Sequence, residues 1–319
     1  MQKIIIFGAE STGIKLGYKI LNREYIDFNS AISHSDLSYS NKAKCVQSVA
    51  IGEGDDINIK YFIDNNSNKW GENLELIVDN VKYNFIIKSP NDIINDEFDK
   101  IIIASYSGCD AIVEQLVKNY GISRKKISNE YCKISLISRL IFLETFSKCV
   151  NNYNLNGSVA ELGVFQGDFA KKINQFFPKK TLYLFDTFEG FDARDLLNEE
   201  LSVRNLGGHL VNTSVDLVRK KMPHPENVVI KQGWFPSTAT DLEDEKFCFV
   251  NIDTDLYDSI LSGLEFFYPK MVAGGIILVH DYFSLGYIGV KKAVDEFCHK
   301  NNINCFPIGD DISIAMQKK

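Results

Sequence analysis

The amino-acid sequence predicts an α/β protein with two domains, each built around a parallel β-sheet. Residues 3–13 and residues 158–167 both run from an apolar strand through a glycine-bearing turn into an amphipathic helix pattern. Such a pattern is typical of parallel sheets whose two faces are covered by helices. The length of 319 residues also fits two domains of roughly 150 residues each. We place a Rossmann-like domain at 1–132 and a second domain at 133–319.

The composition is that of a globular protein, with 45% hydrophobic and 24% charged residues. The 35 Lys and Arg residues against 42 Asp and Glu residues give a net charge of −7, and the isoelectric point is near 5.4. No concentrated basic surface for nucleic acid is therefore expected.

The apolar runs, such as 4–7 and 276–279, are far shorter than the roughly 20 residues of a membrane-spanning helix. Because no secretory signal can be read after Met1, the expected compartment is the cytoplasm. The seven cysteines are odd in number and contain no C-x-x-C pair, which argues against a disulfide framework and a zinc knuckle. We expect reduced thiols.

In the first domain, an apolar strand is followed by a helix that reaches about Leu21, and a second helix is predicted at 109–119. A polar stretch at 27–58 is interpreted as a surface insertion. The predicted strands of this domain are 3–7, 59–63, 84–87 and 100–104.

The first glycine loop, Gly8 to Gly13, has Glu10 where a dinucleotide-binding loop needs a glycine. A carboxylate there would repel a diphosphate, although Asp64 at the end of the next strand could bond a ribose diol. The segment resembles Rossmann-like domains attached to enzymes of bacterial polysaccharide biosynthesis. Three interpretations stay open: a structural or degenerate binding domain, which we favour, a nucleotide or nucleotide-sugar site, and a working dehydrogenase.

The second domain has a fuller pattern, preceded by a helix predicted at 134–150. The strand at 303–307 and the strand at 311–316 are separated by too few residues for a parallel crossover, so they must pair antiparallel. A seven-stranded, mainly parallel sheet with such a terminal hairpin is the plan of class I methyltransferases. The other predicted strands are 158–163, 181–185, 227–231, 247–252 and 275–280, and the other predicted helices are 167–177, 213–222, 257–268 and 287–300.

The second glycine loop begins at Gly163, and Asp186 ends the next predicted strand roughly 20 residues later. In an open α/β sheet both tips face one crevice, where Gly163 lets a ligand approach the backbone and Asp186 accepts hydrogen bonds from ribose hydroxyls. The same pair also suits NAD. The absence of G-x-G-x-x-G favours S-adenosylmethionine, which has no diphosphate to bind.

The second domain resembles the TylF/MycF/NovP-like (macrocin-type) O-methyltransferases over about 140–319. The resemblance implies a class I fold, S-adenosylmethionine, a divalent cation, usually magnesium, and methylation of a sugar hydroxyl. The motifs that carry it, in the family's order, are Glu161-Leu-Gly-Val-Phe-Gln-Gly167, Phe185-Asp-Thr-Phe-Glu-Gly-Phe191, Gly233-Trp-Phe-Pro-Ser-Thr238, Ile252-Asp-Thr-Asp-Leu-Tyr-Asp-Ser259, Tyr268-Pro-Lys-Met-Val-Ala-Gly-Gly275 and His280-Asp-Tyr282.

Three of these motifs supply the predicted cofactor site. Trp234 could stack on adenine or on a sugar, although core packing explains this aromatic residue about as well. The predicted cofactor-binding residues are Glu161, Gly163, Gly167, Asp186, Thr187, Phe188, Gly233 and Trp234.

Acidic residues follow two neighbouring strands of the second domain. Asp253 and Asp255 lie two residues apart just past one strand, and His280 and Asp281 end the next. A carboxylate cluster at adjacent strand tips is costly unless a cation or a proton compensates it, which favours a metal site. The alternative is that the acids cap the following helix. By resemblance, Asp253 and Asp281 are metal ligands and Asp255 is the general base.

His280 departs from the family pattern, which commonly has aspartate at this position. An imidazole can still ligate a metal, but magnesium prefers oxygen, so the site could shift toward manganese, iron or zinc. We favour His280 as a metal ligand. The alternatives are that it is the base itself or that it contacts the ligands from outside the coordination sphere.

The acceptor pocket is expected in the loop at about 190–212. This loop could form a lid near His209, with Gly207 and Gly208 as its hinge. The alternative is that the segment is a disordered loop. The expected substrate is a sugar or a sugar nucleotide, with neither nucleic acid nor membrane as partner. The predicted helix at 134–150 and the resemblance favour a homodimer. The competing functions are a nucleotide-dependent oxidoreductase or epimerase run by the first domain, and a non-catalytic two-domain binding protein.

Overall fold

A computed structural model describes residues 2–22, 57–105, 108–199, 203 and 210–319. The chain divides into two compact units, Met1–Leu136 and Ile137–Lys319, which are described one at a time.

The first unit contains a six-stranded sheet in the order β3-β4-β2-β1-β5-β6. The central strand β1 pairs in parallel with β2 and β5, and its apolar residues Ile4–Phe7 are buried because both faces of the sheet are covered. The strands are β1 (Gln2–Phe7), β2 (Ile57–Ile63), β3 (Asn73–Val78), β4 (Val81–Lys88), β5 (Lys100–Ile103) and β6 (Ile127–Ser128), and the helices are α1 (Ser11–Leu21) and α2 (Cys109–Lys118).

The sequence analysis missed strand β3 and the short strand β6. Strand β3 pairs antiparallel with β4 through a two-residue turn at Asp79 and Asn80, both of which have positive φ angles. Such a turn suits the twist of a hairpin. The predicted insertion at 27–58 lies outside the described residues, except for its last two, which begin β2.

Helix α3 (Glu130–Asn152) connects the chain segments of the two units. The second unit contains a seven-stranded sheet in the order β12-β13-β11-β10-β7-β8-β9, and β13 runs antiparallel to both β11 and β12. The predicted fold class is therefore confirmed. The strands are β7 (Ser158–Leu162), β8 (Leu182–Asp186), β9 (Val228–Gln232), β10 (Phe247–Ile252), β11 (Met271–Val279), β12 (Cys305–Pro307) and β13 (Ile314–Gln317), and the helices are α4 (Asp168–Phe176), α5 (Val215–Lys221), α6 (Tyr257–Phe267) and α7 (Ile288–Asn301).

Two apolar clusters cover the two faces of the second sheet. One contains Ile260 of α6 and Val290 of α7, and the other contains Leu143 of α3 and Ile173 of α4. Strand β10 is buried along its whole length between them. Helix packing on both faces therefore holds the central parallel strands, whose carboxyl ends carry the predicted site residues.

Within the described ranges, none of the helices combines the length and the apolar character that crossing a bilayer requires. The six cysteines of the described part are free thiols, and Cys132, Cys248 and Cys298 are buried.

Replacing Phe249 with alanine should destabilise the second unit by about 3–5 kcal/mol, because the substitution leaves a cavity in a closely packed core. Its ring is fully buried and lies with its centroid 5.8 Å from that of Phe177 and 5.9 Å from that of Phe146. The matched control is Phe306→Ala on the edge strand β12, where the side chain is 39% exposed. Thermal unfolding of both variants checks this, and equal melting temperatures would contradict the packing described here.

Candidate active site

The residues predicted for the site lie at or near the carboxyl ends of β7, β8, β9, β10 and β11. The ends of β7, β10 and β11 are level, because Ile252 is in register with Leu162 on one side and with Val279 on the other. Beyond these positions the backbone N–H of Asp253 donates to Leu162 O (2.8 Å) and that of His280 donates to Ile252 O (2.9 Å). The loops that follow the strands therefore start at one edge of the sheet.

The Asp186 carboxylate accepts three backbone hydrogen bonds, two of which come from the second glycine loop. Its Oδ2 accepts the N–H groups of Val164 (2.7 Å) and Phe165 (2.8 Å), and its Oδ1 accepts the N–H of Phe188 (2.7 Å). Gly163 has a φ angle of +84°, and a Cβ there would overlap the carbonyl oxygen of Asp253. Glycine is required at this position because the loop passes so close to the next strand tip.

A cavity opens at this edge of the sheet. The carboxyl ends of the strands form its floor, and the segment that follows β8 forms one wall. Its lining includes Gly163, Phe165, Asp186, Thr187, Phe191, Asp192, Asp195, Gly233, Trp234, Asp253, Asp255 and Ser259. Five of the eight predicted cofactor residues thus face one cavity together with two of the predicted catalytic-centre acids.

Three predicted cofactor residues do not line this cavity. Glu161 is 2% exposed and lies below the strand tips, where its Oε1 accepts a hydrogen bond from Asn251 Nδ2 (2.9 Å). Gly167 precedes α4 with a positive φ and packs against Val218. Phe188 contributes its backbone N–H to Asp186, while its side chain is buried in the core.

Trp234 lines the cavity and is fixed by two neighbours. Its Nε1–H donates to Asp195 Oδ1 (3.1 Å), and the Arg194 guanidinium lies 4.0 Å from the centre of its ring. Burial is the main cause that raises the pKa of Asp195 to about 6. The aromatic ring is thus a wall of the cavity rather than part of the core.

Asp253, His280 and Asp281 form one cluster. The His280 Nδ1 lies 2.6 Å from Asp281 Oδ2 and 3.1 Å from Asp253 Oδ1, and one donor atom from each residue lies within 4.8 Å of the others. Burial and Arg139 oppose protonation of His280, but Asp253 and Asp281 outweigh them and raise its pKa to about 10. The set of two carboxylates and one imidazole fits a divalent cation.

Sequence reasoning missed Arg139 and Asn251. Arg139 comes from α3, is 8% exposed, and donates from Nη2 to Asn251 Oδ1 (2.9 Å) and to Asp253 Oδ2 (3.2 Å). Its guanidinium stacks on Phe169 at 3.9 Å. Asn251 is a polar residue inside the otherwise apolar strand β10. Because a buried amide needs polar partners, this residue was the one sign in the sequence of a buried polar network.

The buried carboxyl of Glu161 completes this network below the strand tips. Burial, followed by the charge of Asp253, raises its pKa well above the usual range. For Asp253 burial acts in the same direction, but the charges of His280 and Arg139 hold its pKa below the usual range. The network therefore favours the protonated form of Glu161 and the ionised form of Asp253.

Asp255 lines the cavity in a left-handed backbone conformation with a φ of +64°. Burial and the nearby charges of Asp281 and Asp253 raise its pKa well above the usual range. The alternative that acids serve the start of α6 fits Asp258, which lies in its first turn, whereas the N-cap residue Leu256 makes no side-chain cap and the Tyr257 N–H donates to Glu199.

The first glycine loop has a related arrangement. Asp64 Oδ2 accepts the N–H of Ala9 (3.0 Å), and the predicted obstacle Glu10 forms an ion pair with Lys69 (2.8 Å). The predicted hinge residues Gly207 and Gly208, and His209 beside them, lie outside the described residues.

Comparison with known proteins decides the family. The model of the macrocin O-methyltransferase (TylF) family matches residues 131–313, which is more than half of the chain. The chain belongs to the macrocin O-methyltransferase (TylF) family. This member of the TylF family is accordingly an S-adenosylmethionine-dependent O-methyltransferase, and the resemblance predicted from its motifs is confirmed.

Two characterised relatives are similar to this TylF-family chain. Demethyldecarbamoylnovobiocin O-methyltransferase of Streptomyces niveus is 26% identical over 230 residues, which cover 65% of this chain and 80% of the relative. Mycinamicin III 3''-O-methyltransferase of Micromonospora griseorubida is 25% identical over 167 residues, which cover 46% of this chain and 63% of the relative.

The solved structure of the O-methyltransferase NovP has the same fold as the matched part of the chain. It superposes with a TM-score of 0.52 at 22% identity and covers 67% of this chain and 100% of its own.

Replacing Arg139 with methionine should destabilise the second unit by about 1–3 kcal/mol, because Asn251 Oδ1 and Asp253 Oδ2 lose their buried donor. Lys148→Met removes the same charge from an exposed position of α3 and is the matched control, with an expected effect below about 0.5 kcal/mol. Chemical denaturation of both variants checks this. If Arg139→Met were as stable as the control, the network would not hold the site together.

Proposed function

We propose that this enzyme transfers the methyl group of S-adenosylmethionine to a hydroxyl of a sugar or sugar nucleotide, in the biosynthesis of a surface polysaccharide or a glycosylated metabolite. The observation that carries the proposal is the convergence of Asp186, Asp255 and the cluster of Asp253, His280 and Asp281 on one edge of a methyltransferase sheet. The two relatives are O-methyltransferases of demethyldecarbamoylnovobiocin and of mycinamicin III, which supports a hydroxyl group as the acceptor.

The cavity suits a positively charged methyl donor. Among the described residues that line it, every charged side chain is an aspartate, and a methylsulfonium is attracted by such a surface. Asp186 already accepts three N–H groups, and the lone pair that is left on its Oδ1 accepts a ribose hydroxyl. Trp234 then offers its ring to the adenine, since Asp195 and Arg194 fix its orientation.

A divalent cation would be held by Asp253, His280 and Asp281, and it would supply a Lewis acid that lowers the pKa of the acceptor hydroxyl. The two carboxylates give magnesium the oxygen ligands it prefers, and the imidazole also admits manganese. Arg139 holds one oxygen of Asp253, so that the other is turned toward His280.

Asp255 is the proposed general base. It faces the cavity two residues beyond Asp253, so an acceptor hydroxyl held at the cluster comes within its reach. Asp255 takes the hydroxyl proton while the oxygen attacks the methyl carbon and the bond from that carbon to sulfur breaks. The walls of the cavity keep the two reactants in line, which removes much of the entropic cost of the transfer.

Methyl transfer can be tested directly by mass spectrometry. The enzyme is incubated with isotopically labelled S-adenosylmethionine, magnesium or manganese, and a panel of nucleotide sugars and cell-surface glycans. The proposal predicts a product that is heavier by one labelled methyl group, located on the sugar. Labelling of non-sugar acceptors alone would contradict it.

Replacing Asp186 with alanine should weaken binding of S-adenosylhomocysteine by roughly 10- to 100-fold, because the ribose loses a charged acceptor worth about 1.5–3 kcal/mol. Isothermal titration calorimetry measures the affinity. The control is Asp168→Ala, which removes an exposed carboxylate from the first turn of α4. If Asp186→Ala bound S-adenosylhomocysteine with unchanged affinity, Asp186 would not be a cofactor-binding residue.

Replacing Asp255 with asparagine keeps the shape of the side chain but removes the proton acceptor. We expect turnover to fall by roughly 10² to 10⁴, with affinity for S-adenosylhomocysteine unchanged. Single-turnover kinetics and calorimetry separate the two effects. If turnover stayed close to that of the wild type, the general base would be another residue, with His280 as the first candidate.

A further inference from the structure

The helix that follows the proposed base obtains its cap from a distant part of the chain. Helix α6 begins at Tyr257, two residues after Asp255, and its N-cap residue Leu256 provides no side-chain acceptor. The N–H of Tyr257 instead donates to Glu199 Oε1 (2.6 Å), and the Glu199 residue is only 6% exposed. A carboxylate at this end of a helix is favourable, because the first N–H groups carry a partial positive charge.

The same carboxylate also lies against the start of a second helix. A Cβ at Gly289, the second residue of α7, would lie 2.8 Å from Glu199 Oε1 and 3.1 Å from Oε2. It would also lie 3.1 Å from the Cβ of Tyr257, so a larger residue at position 289 would disturb the contact between Glu199 and Tyr257 from both partners. The absence of a side chain at Gly289 leaves the space that Glu199 occupies between the starts of α6 and α7.

Glu199 ends a stretch of chain that also borders the cavity. We call residues 191–199 the acceptor segment. At one end, Asp195 lines the cavity and accepts the Nε1–H of Trp234. At the other end, Asn198 Nδ2 donates to Asp258 Oδ2 (2.7 Å), one residue beyond the contact of Glu199 with Tyr257. The acceptor segment therefore connects the wall at Trp234 with the loop that carries the base.

We propose that Glu199 is a positioning residue for methyl transfer, which fixes the acceptor segment and the Asp255 loop in one arrangement. The proposal rests on the role of Asp255 in the proposed function. Glu199 does not line the cavity, so it acts through Tyr257. A shift of the α6 start moves Asp255 relative to the acceptor hydroxyl, and a displacement of about 1 Å costs roughly 100-fold in rate.

The contacts of Glu199 predict which kinetic constant changes. Asp186 and the Gly163 loop are held by their own backbone hydrogen bonds, and Trp234 is fixed by Asp195 and Arg194, which lie four and five residues before Glu199. Affinity for S-adenosylhomocysteine should therefore stay within about threefold of the wild-type value, whereas kcat should fall roughly 10- to 100-fold. A residue that served stability alone would lower the folded fraction without such a split.

Three variants and one control test the proposal. Glu199→Ala removes the cap, Glu199→Gln keeps an oxygen acceptor without the charge, and Gly289→Ala displaces the carboxylate without removing it. Glu189→Ala, at an exposed position that precedes the acceptor segment, is the matched control. We expect kcat to fall most in Glu199→Ala, to recover partly in Glu199→Gln, to fall in Gly289→Ala, and to be unchanged in Glu189→Ala.

Hydrogen–deuterium exchange provides a readout that does not depend on the acceptor. In Glu199→Ala and Gly289→Ala, amides at 196–198 and at 253–258 should exchange faster, while those at 163–165 and at 192–195 keep the wild-type rate. Unchanged exchange at 253–258 in both variants, or wild-type kcat despite faster exchange there, would overturn the proposal. If the wild-type enzyme methylates no sugar, the proposed function fails, and exchange at 253–258 still decides whether Glu199 fixes this loop.

Discussion

The site depends on how buried carboxylates at adjacent strand tips are compensated. Glu161, Asp253, Asp255 and Asp281 lie close together around the carboxyl ends of β7, β10 and β11, and burial there disfavours the charged forms of Glu161, Asp253 and Asp255. The compensating positive charges are the Arg139 guanidinium from α3 and the protonated His280 imidazole at the end of β11, and a bound divalent cation would take the place of the His280 proton. Where these charges do not suffice, a proton remains on the carboxyl, as the raised pKa of Glu161 indicates.

The two units have the same pattern of backbone hydrogen bonds at the ends of their strands. They differ in the residue type at one position of that pattern. In each, an aspartate at the end of the second strand, Asp64 or Asp186, accepts a backbone N–H from the glycine loop. In each, the residue after the neighbouring strand donates its N–H across to the first strand at 2.8 Å. That residue is Asp253 in the methyltransferase unit and Ala104 in the first unit. The shared backbone pattern therefore positions a carboxylate, that of Asp253, only in the methyltransferase unit.

The fold and the strand-tip residues were readable from the sequence because each depends on local pattern. The apolar runs have the periodicity of strands and helices, and the glycine turns and Asp186 lie at the expected spacing after the predicted strands. Arg139 could not be placed in this way, since its partners are more than 100 residues away and helix α3 gives no local sign of them. Glu199 was missed for the same reason, because a cap supplied across 58 residues leaves no capping signature beside Tyr257. Strand β3 was predictable in principle from the Asp79-Asn80 turn between two alternating runs.

The central claim is that the carboxylates at the strand tips hold a divalent cation beside the methyl donor. The most direct measurement is a crystal structure of the enzyme grown with manganese and S-adenosylhomocysteine, in which anomalous scattering locates the metal. The account predicts one manganese ion bound by Asp253, His280 and Asp281, with the ribose of the ligand on Asp186. An ordered ligand in the cavity without anomalous density at the cluster, even at saturating manganese, would contradict it.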